Sequence, residues 1–289
     1  SLSVRLPYRS PYDWKRLLAF YAGRATPGVE QVADDRYQCS IVWAGQAGGI
    51  DVRDSGGALS LTVRGLGTGA LFGIVQRVRG MFDVDAPIDD VAASLSKDPT
   101  LRPLLRRNPG VRVPGAWDGW ELAVRAVLGQ QVSVKAATTF AGRIAERYGE
   151  PCEIEGMPGA RLFPTPQRLA RAQLERLGII RSRAQTIRDL ARASLGGHVS
   201  FDASQDADEF AVALRSIRGI GDWTAQYVAM RVLKHPDAFP ASDLGLLRAF
   251  DGEGGRLKPA ELLACAEAWR PWRAYAALLI WSSDDGAGG

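Results

Sequence analysis

The sequence predicts an α+β N-terminal domain, with an antiparallel sheet and helices, followed by a mostly α-helical body. Two observations indicate this division. Segments in which apolar and polar residues alternate, broken by Gly and Asp turns, occur up to about Val84, and this period of two is typical of half-buried strands. From Ile88 onward almost no such alternation occurs, and short Gly- or Pro-containing connections separate helical patterns. A chain of 289 residues can form two or three compact units.

The N-terminal domain is predicted to cover residues 1–86, because Pro87 marks the approximate change of pattern. Its strands are expected at 37–43, 49–53 and 59–63. Two helices are expected at 12–22 and 71–81, the first with Asp13 as its capping residue. Together these elements form a small α+β unit.

The helical body is predicted to cover residues 87–283 and to contain two helical subdomains. Its helices are expected at 88–96, 100–107, 118–128, 134–148, 166–174, 181–194, 203–217, 223–232, 243–250, 259–268 and 272–281. The loop 150–166 is the longest connection and is expected at the surface. The glycine-containing tail 284–289 is predicted to be disordered.

The net charge of +4 is modest, but basic residues are unevenly distributed. Between Arg161 and Arg192 there are eight arginines and only two acidic residues, Glu175 and Asp189. Arginine binds phosphate through paired hydrogen bonds, so this bias suits a polyanionic partner. A solvated helix surface is the alternative explanation. A second basic stretch contains Lys97, Arg102, Arg106, Arg107 and Arg112.

Several classes of protein are disfavoured by composition. Three widely spaced cysteines and two histidines indicate neither a disulfide framework nor a metal site built from side chains. No signal peptide or apolar run of membrane-spanning length occurs in the sequence. We therefore expect a reduced, cytoplasmic compartment and no membrane partner.

The segment 217–224 predicts a tight turn between two helices. Gly219 and Gly221 can adopt backbone angles that a β-carbon forbids, and Asp222 is placed to cap a helix that begins at Trp223. A glycine turn at a helix N-terminus directs free backbone N–H groups toward one point, which suits a phosphate. An ordinary helix–turn–helix connection is the alternative.

Asp243 follows this turn, after a Pro-containing loop and before an apolar helical run. This context predicts an N-cap, and the helix dipole would keep such a carboxylate ionised. Trp223 and Tyr227 are four residues apart and therefore share a helix face. They, like Trp281, are candidates either for the core or for a ligand platform.

The elbow at Gly129-Gln130-Gln131 lies between two predicted helices. Amide side chains at such a place can fill a gap in a base stack or hydrogen-bond to base edges. Solvated amides in a capped turn are the alternative.

Four stretches resemble the helix–hairpin–helix (HhH-GPD) superfamily of DNA glycosylases, and three of them resemble one branch of it, the bacterial 3-methyladenine DNA glycosylase II family. The hairpin GIGDWTA (219–225), with Asp243 beyond it, resembles the superfamily motif. The stretches VRAVLGQQVSV (124–134), WRPWRAYA (269–276) and PYDW (11–14) resemble this branch. The similarity covers nearly the whole chain, and the motifs occur in family order. It implies that the helical body is an HhH-GPD glycosylase region.

The resemblance also implies roles for individual residues. It makes Asp243 the catalytic aspartate, Trp223, Tyr227 and Trp281 the walls of the base pocket, and Gly219, Ile220 and Gly221 the clamp on the DNA backbone. Gln130 and Gln131 would form the wedge that enters the duplex. Gln131 departs from the nearest bacterial pattern, in which that position is apolar. The clamp of the family often holds a monovalent cation, Na⁺ or K⁺, on backbone carbonyls, and no other cofactor is expected.

The function implied is removal of alkylated bases, such as 3-methyladenine and related cationic purines, from double-stranded DNA. Relatives that cleave the strand carry a lysine at the position of Trp223, so no Schiff-base lyase activity is expected. Iron–sulfur relatives need four cysteines near the C-terminus, where this chain has Cys265 alone. We expect a monomeric, monofunctional glycosylase. A non-catalytic DNA-binding protein with the same hairpin, and a metabolic enzyme with an accidental glycine turn, are the alternatives.

Overall fold

The computed structural model describes residues 1–202, 204–250 and 257–284, and of Asp284 it describes the backbone only. Its N-terminal part contains a five-stranded antiparallel sheet with the strand order β1-β5-β4-β3-β2. The strands are β1 (Leu2–Pro7), β2 (Glu30–Ala33), β3 (Arg36–Trp43), β4 (Gln46–Asp54) and β5 (Ala58–Arg64). The three predicted strands are therefore confirmed, and two strands at the edges of the sheet are added.

Helices α1 (Trp14–Ala22) and α2 (Leu71–Met81) pack against this sheet. Asp13 caps α1 as predicted, because its side chain accepts from the backbone N–H of Arg16. The Tyr21 hydroxyl lies at the junction of the two domains, where it donates to the carbonyl of Met81 in α2 at 2.8 Å and to that of Gly115 in the helical body at 3.2 Å. The first hydrophobic cluster of the protein extends from Leu6 to Val84 and includes Trp117 and Ala145.

The remaining helices build the body of the protein, as the sequence predicts. They are α3 (Ile88–Leu95), α4 (Leu101–Arg107), α5 (Gly119–Leu128), α6 (Val134–Tyr148), α7 (Pro166–Leu169), α8 (Arg181–Leu195), α9 (Ala207–Arg215), α10 (Asp222–Val228), α11 (Leu244–Arg248), α12 (Pro259–Ala266) and α13 (Arg273–Asp284). A π-helical turn, Ala229–Leu233, continues α10. The hydrophobic cluster of this body begins at Ala86, next to the predicted boundary, and extends to Ile280.

The loop 150–166 lies against the N-terminal sheet rather than standing free at the surface. It contains two short paired strands, β6 (Glu150–Pro151) and β7 (Arg161–Leu162). The Arg161 carbonyl accepts from the Ser40 hydroxyl of β3 at 2.6 Å, and its N–H donates to Gly28 at 2.8 Å. This contact explains why β3 is buried along most of its length instead of at alternate residues.

At the C-terminus, Asp284 is the last residue of α13 and not the first of a disordered tail. The rest of the predicted tail, residues 285–289, lies outside the described residues. Among the helices that the structure describes, none is long and apolar enough to cross a bilayer.

Candidate active site

The hairpin between α9 and α10 depends on Gly219 for its shape. Gly219 has a φ of +93°, and a β-carbon there would lie 2.1 Å from Thr186 Oγ1 of α8. The same hydroxyl donates to the carbonyl of Arg218 at 3.1 Å. Gly219 is therefore required both by its backbone angle and by the close approach of α8.

Gly221 differs from Gly219, and here the expectation from the sequence was wrong. Its φ of −92° and ψ of −179° are extended angles open to any residue, and a β-carbon would meet nothing within 4 Å. Asp222 was also expected to cap the helix, but it is the first residue of α10, and Gly221 is the N-cap. The Asp222 carboxylate instead accepts from Arg215 Nη1 at 2.8 Å.

The backbone N–H groups of the hairpin remain available to an anion. Ile220 N–H donates to the Ile217 carbonyl at 3.0 Å, whereas the amides of Gly219, Gly221 and Asp222 have no acceptor among the residues that the structure describes. Such free amides beside an open glycine can bind a phosphate group.

The two glutamines of the α5–α6 elbow are in different environments. Gln130 Nε2 donates to the Gly219 carbonyl and to Thr224 Oγ1, both at 2.9 Å, so this amide holds the elbow against the hairpin. Gln131 has an exposed side chain and a φ of +55°. Only the Gln131 side chain is therefore free to enter a duplex.

Asp243 is the N-cap of α11, as the sequence predicts, and its Oδ1 accepts from Leu246 N–H at 3.0 Å. Two indole groups from other helices also donate to this carboxylate. Trp223 Nε1 of α10 lies 2.8 Å from Oδ2, and Trp281 Nε1 of α13 lies 2.8 Å from Oδ1. The structure thus brings Asp243 together with two of the three aromatic residues predicted for the base pocket.

Tyr227 completes the aromatic group. Its ring is stacked on Trp223, with ring centroids 5.2 Å apart and an angle of 7° between the planes. Its contact with Trp281 is edge-to-face, at 6.4 Å and 63°. Trp223 and Trp281 are each partly exposed, so the group forms a wall rather than part of the sealed core.

Two arginines beside Tyr227 were not anticipated from the sequence. Buried Arg231 donates to the Tyr227 hydroxyl at 2.9 Å and to the carbonyls of Pro114 and Gly115. Arg24, at the end of α1, lies over the Phe20 ring at 3.8 Å. Burial alone would raise the pKa of Tyr227, but the cations of Arg231 and Arg24 outweigh it and lower that pKa. The Phe20–Arg24 spacing of four residues was the signal available in the sequence.

A metal site built from side chains is not found in the part of the chain that the structure describes. The hairpin carbonyls of Ile217, Arg218 and Gly219 each accept one hydrogen bond, from Ile220, Thr186 and Gln130 respectively. Each carbonyl oxygen has a second lone pair. The hairpin therefore retains the type of oxygen donor that suits a monovalent cation.

The chain matches two protein families over most of its length. Residues 3–118 match the AlkA N-terminal domain, and residues 124–273 match the HhH-GPD superfamily of base excision DNA repair proteins. DNA-3-methyladenine glycosylase 2 of Escherichia coli is 35% identical over 287 residues, which cover 96% of each chain. The chain therefore belongs to the HhH-GPD superfamily of base excision DNA repair proteins, within the bacterial 3-methyladenine DNA glycosylase II family.

A longer relative and two solved structures add to this comparison. The "Probable bifunctional transcriptional activator/DNA repair enzyme AlkA" of Mycobacterium tuberculosis is 34% identical over 98% of this chain, which spans 57% of that relative. The fold matches a 3-methyladenine DNA glycosylase from Archaeoglobus fulgidus with a TM-score of 0.84 at 22% identity, over 100% and 99% of the two chains. It also matches an 8-oxoguanine glycosylase/lyase of Clostridium acetobutylicum bound to double-stranded DNA, with a TM-score of 0.76 at 14% identity over 99% of each chain.

Proposed function

We propose that this protein is a monofunctional DNA glycosylase that flips alkylated bases out of double-stranded DNA and hydrolyses their N-glycosidic bonds. Its substrates would be 3-methyladenine and related cationic purines. The observation that carries the proposal is the Asp243 carboxylate, hydrogen-bonded by two indoles whose rings form an aromatic wall. The names of the E. coli and A. fulgidus relatives support the same substrate class.

The first step would be rotation of the damaged nucleotide out of the base stack. Unstacking costs a few kcal/mol and costs least for a damaged base. Exposed Gln131 would occupy the space that the base leaves, while the amides of Gly219 and Gly221 hold a backbone phosphate. A monovalent cation on the hairpin carbonyls would add positive charge next to that phosphate. No other cofactor is proposed.

The chemical step would depend on the aromatic wall and Asp243. A purine alkylated on a ring nitrogen is cationic, so it is attracted to electron-rich rings by about 0.5–2 kcal/mol for each favourable contact. Such a base leaves as a neutral molecule and needs no strong general acid. As the glycosidic bond breaks, positive charge develops on the sugar, and the Asp243 carboxylate would stabilise that charge or direct a water onto it.

The residues of the hairpin and α10 support the proposed lack of lyase activity. Strand cleavage through a Schiff base needs an amine nucleophile at the site. The segment 217–233 contains no lysine. The next lysine in the chain, Lys234, is directed away toward Gly80 and Gly115. We therefore propose a hydrolase that leaves an intact abasic strand. Separately, we propose that the protein acts as a monomer.

The decisive test replaces Asp243 by Asn. Asn retains the shape of the side chain and can still cap α11, but it removes the negative charge that would stabilise the sugar cation. We expect Asp243→Asn to slow base release from methylated duplex DNA at least ~100-fold in single-turnover assays, with unchanged duplex affinity.

Asp206→Asn is the matched control, because Asp206 caps α9 in the same way but lies outside the aromatic wall. It should retain full activity. Base release by Asp243→Asn at the normal rate would contradict the catalytic assignment. A wild-type protein that binds duplex DNA and releases no base would instead indicate the non-catalytic DNA-binding alternative.

A further inference from the structure

Among the residues that the structure describes, the donors to the Asp243 carboxylate leave one acceptor position open. Oδ1 accepts two hydrogen bonds, from Trp281 Nε1 at 2.8 Å and from Leu246 N–H at 3.0 Å. Oδ2 accepts one, from Trp223 Nε1 at 2.8 Å. Each carboxylate oxygen offers two in-plane lone pairs. Oδ1 is therefore fully used, and Oδ2 keeps one lone pair for a further partner.

The three donors come from separate elements and restrict rotation of the carboxylate. Trp223 belongs to α10, Trp281 to α13 and Leu246 to α11. Gly245 allows the approach of Trp281, since a β-carbon at this position would lie 3.0 Å from Asp243 Oδ1 and 3.3 Å from Trp281 Cδ1. Rotating the carboxylate plane would break several of these charge-assisted hydrogen bonds at once.

The same two indoles also belong to the aromatic wall. Trp223 is stacked on Tyr227, and Trp281 meets the Tyr227 ring edge-to-face. A base that packs against these rings is therefore placed relative to the carboxylate that their N–H groups hold. A shift of either ring would lengthen its 2.8 Å hydrogen bond to Asp243, so the position of the rings and the orientation of the carboxylate depend on each other.

We propose that Trp223 and Trp281 are positioning residues for Asp243, which act through their indole N–H groups and leave Oδ2 as the oxygen that faces the reacting sugar. This inference rests on the proposed glycosylase function. It assigns the two tryptophans a role in the chemical step, in addition to the contact of their rings with the base. A purely aromatic role would not depend on the N–H groups.

The test exchanges each tryptophan in the full chain for β-(3-benzothienyl)alanine, a ring of the same shape with sulfur in place of the N–H. Loss of one hydrogen bond to a charged group should lower the single-turnover rate of base release from a 7-methylguanine duplex about 10- to 100-fold. The dissociation constant for the same duplex should change less than about twofold. Exchange for 5-fluorotryptophan, which retains the N–H but weakens the electron density of the ring, should cost distinctly less in rate.

Trp269 provides the matched control. Its indole also donates to a carboxylate at 2.8 Å, Asp98 Oδ2, but it lies in the core outside the aromatic wall. Benzothienylalanine at Trp269 should lower the melting temperature and leave the rate of base release unchanged.

Three results would overturn the inference: unchanged rates with benzothienylalanine at Trp223 and Trp281, an equal loss of rate at Trp269, or a loss confined to duplex affinity. Failure of the proposed function would look different, because the wild-type protein itself would then release no base.

Discussion

The two glycines of the hairpin, Gly219 and Gly221, have different roles although they are the same residue type. Gly219 is needed inside the protein, because its φ is +93° and α8 lies against it. Gly221 has ordinary backbone angles and open space around it. Neither backbone strain nor a close neighbour requires a glycine at 221, so beyond its N-cap position we attribute this glycine to what approaches from outside. A phosphate that reaches the free backbone amides would meet any side chain there.

Replacing Gly221 by Val tests this difference. The variant should fold, because its side chain enters open space, although loss of the N-cap glycine of α10 should cost about 1 kcal/mol or less of stability. It should lower the affinity for duplex DNA about tenfold or more, equally with and without a lesion, because the valine blocks the approach of the phosphate. Fluorescence anisotropy on matched duplexes measures both affinities.

Gly219→Val is the comparison, and it should lower the free energy of unfolding by at least about 2 kcal/mol through backbone strain and overpacking. Unchanged duplex affinity in Gly221→Val would reject the clamp.

At the scale of elements, the site is an assembly of helix ends. The elbow after α5 contacts the hairpin before α10 through Gln130, and Arg183 of α8 donates to the Gln130 carbonyl. The hairpin position is therefore set by α5 and α8 as well as by its own two helices. Of the predicted wedge pair, Gln130 is used for this contact, and Gln131 alone stays exposed.

The two glutamines should respond differently to replacement by alanine. Gln130→Ala removes both 2.9 Å hydrogen bonds to the hairpin and should destabilise the protein by about 1–2 kcal/mol. It should also weaken duplex binding whether or not a lesion is present. Gln131→Ala should slow release of a base-paired lesion more than that of a mispaired lesion, because the mispaired base costs less to unstack.

Chemical denaturation measures the loss of stability, and single-turnover rates on paired and mispaired duplexes measure the effect on base release. Equal rate losses on both duplexes in Gln131→Ala would contradict the wedge role.

The elements that could be predicted from the sequence are those whose own residues show a characteristic pattern. Strands β3 to β5 show alternation and turn residues, and the Asp13 and Asp243 caps precede clear helical patterns. The hydrogen bonds to Asp243 could not be predicted, because Trp223 and Trp281 lie 20 and 38 residues away and meet it only through packing of three helices. The approach of Arg24 to Tyr227 was missed for the same reason, since the spacing of Arg24 from Phe20 indicates only a contact within the N-terminal domain.

At the scale of the whole molecule, a buried polar network joins the N-terminal domain to the helical body. Arg125 of α5 donates to Thr26 Oγ1 at 2.6 Å, and the Thr26 hydroxyl donates to Glu121, also on α5. The Thr26 N–H donates to Glu30 at 2.9 Å, and Tyr37 also donates to Glu30. Burial, together with the negative charge of Glu30, raises the pKa of Glu121 to about 8. Two members of this network, Glu121 and Arg125, lie on α5, the helix that leads into the elbow.

The raised pKa of Glu121 predicts how stability depends on pH. Between pH 4.5, the ordinary pKa of the carboxyl, and about pH 8, the folded protein keeps a proton that the unfolded chain has lost. The stability that Glu121 contributes is therefore complete below pH 4.5 and is lost as pH rises through 8. The shift corresponds to at most about 5 kcal/mol. Glu121→Gln, which is uncharged throughout, should match the wild type at pH 4.5 and exceed its unfolding free energy by at least about 1 kcal/mol at pH 8.

Urea denaturation at several pH values between 4.5 and 8 measures this difference. Glu146→Gln is the control, because Glu146 is exposed on α6, and it should follow the wild type throughout. If the free energy of unfolding of Glu121→Gln changes with pH in parallel with that of the wild type, the Glu121 carboxyl is ionised in the folded protein. Arg125 and Thr26 would then compensate the cost of burying its charge. The predicted divergence would instead show that the two domains meet across a protonated carboxyl at neutral pH. In that case the junction between the two domains weakens as the solution becomes alkaline.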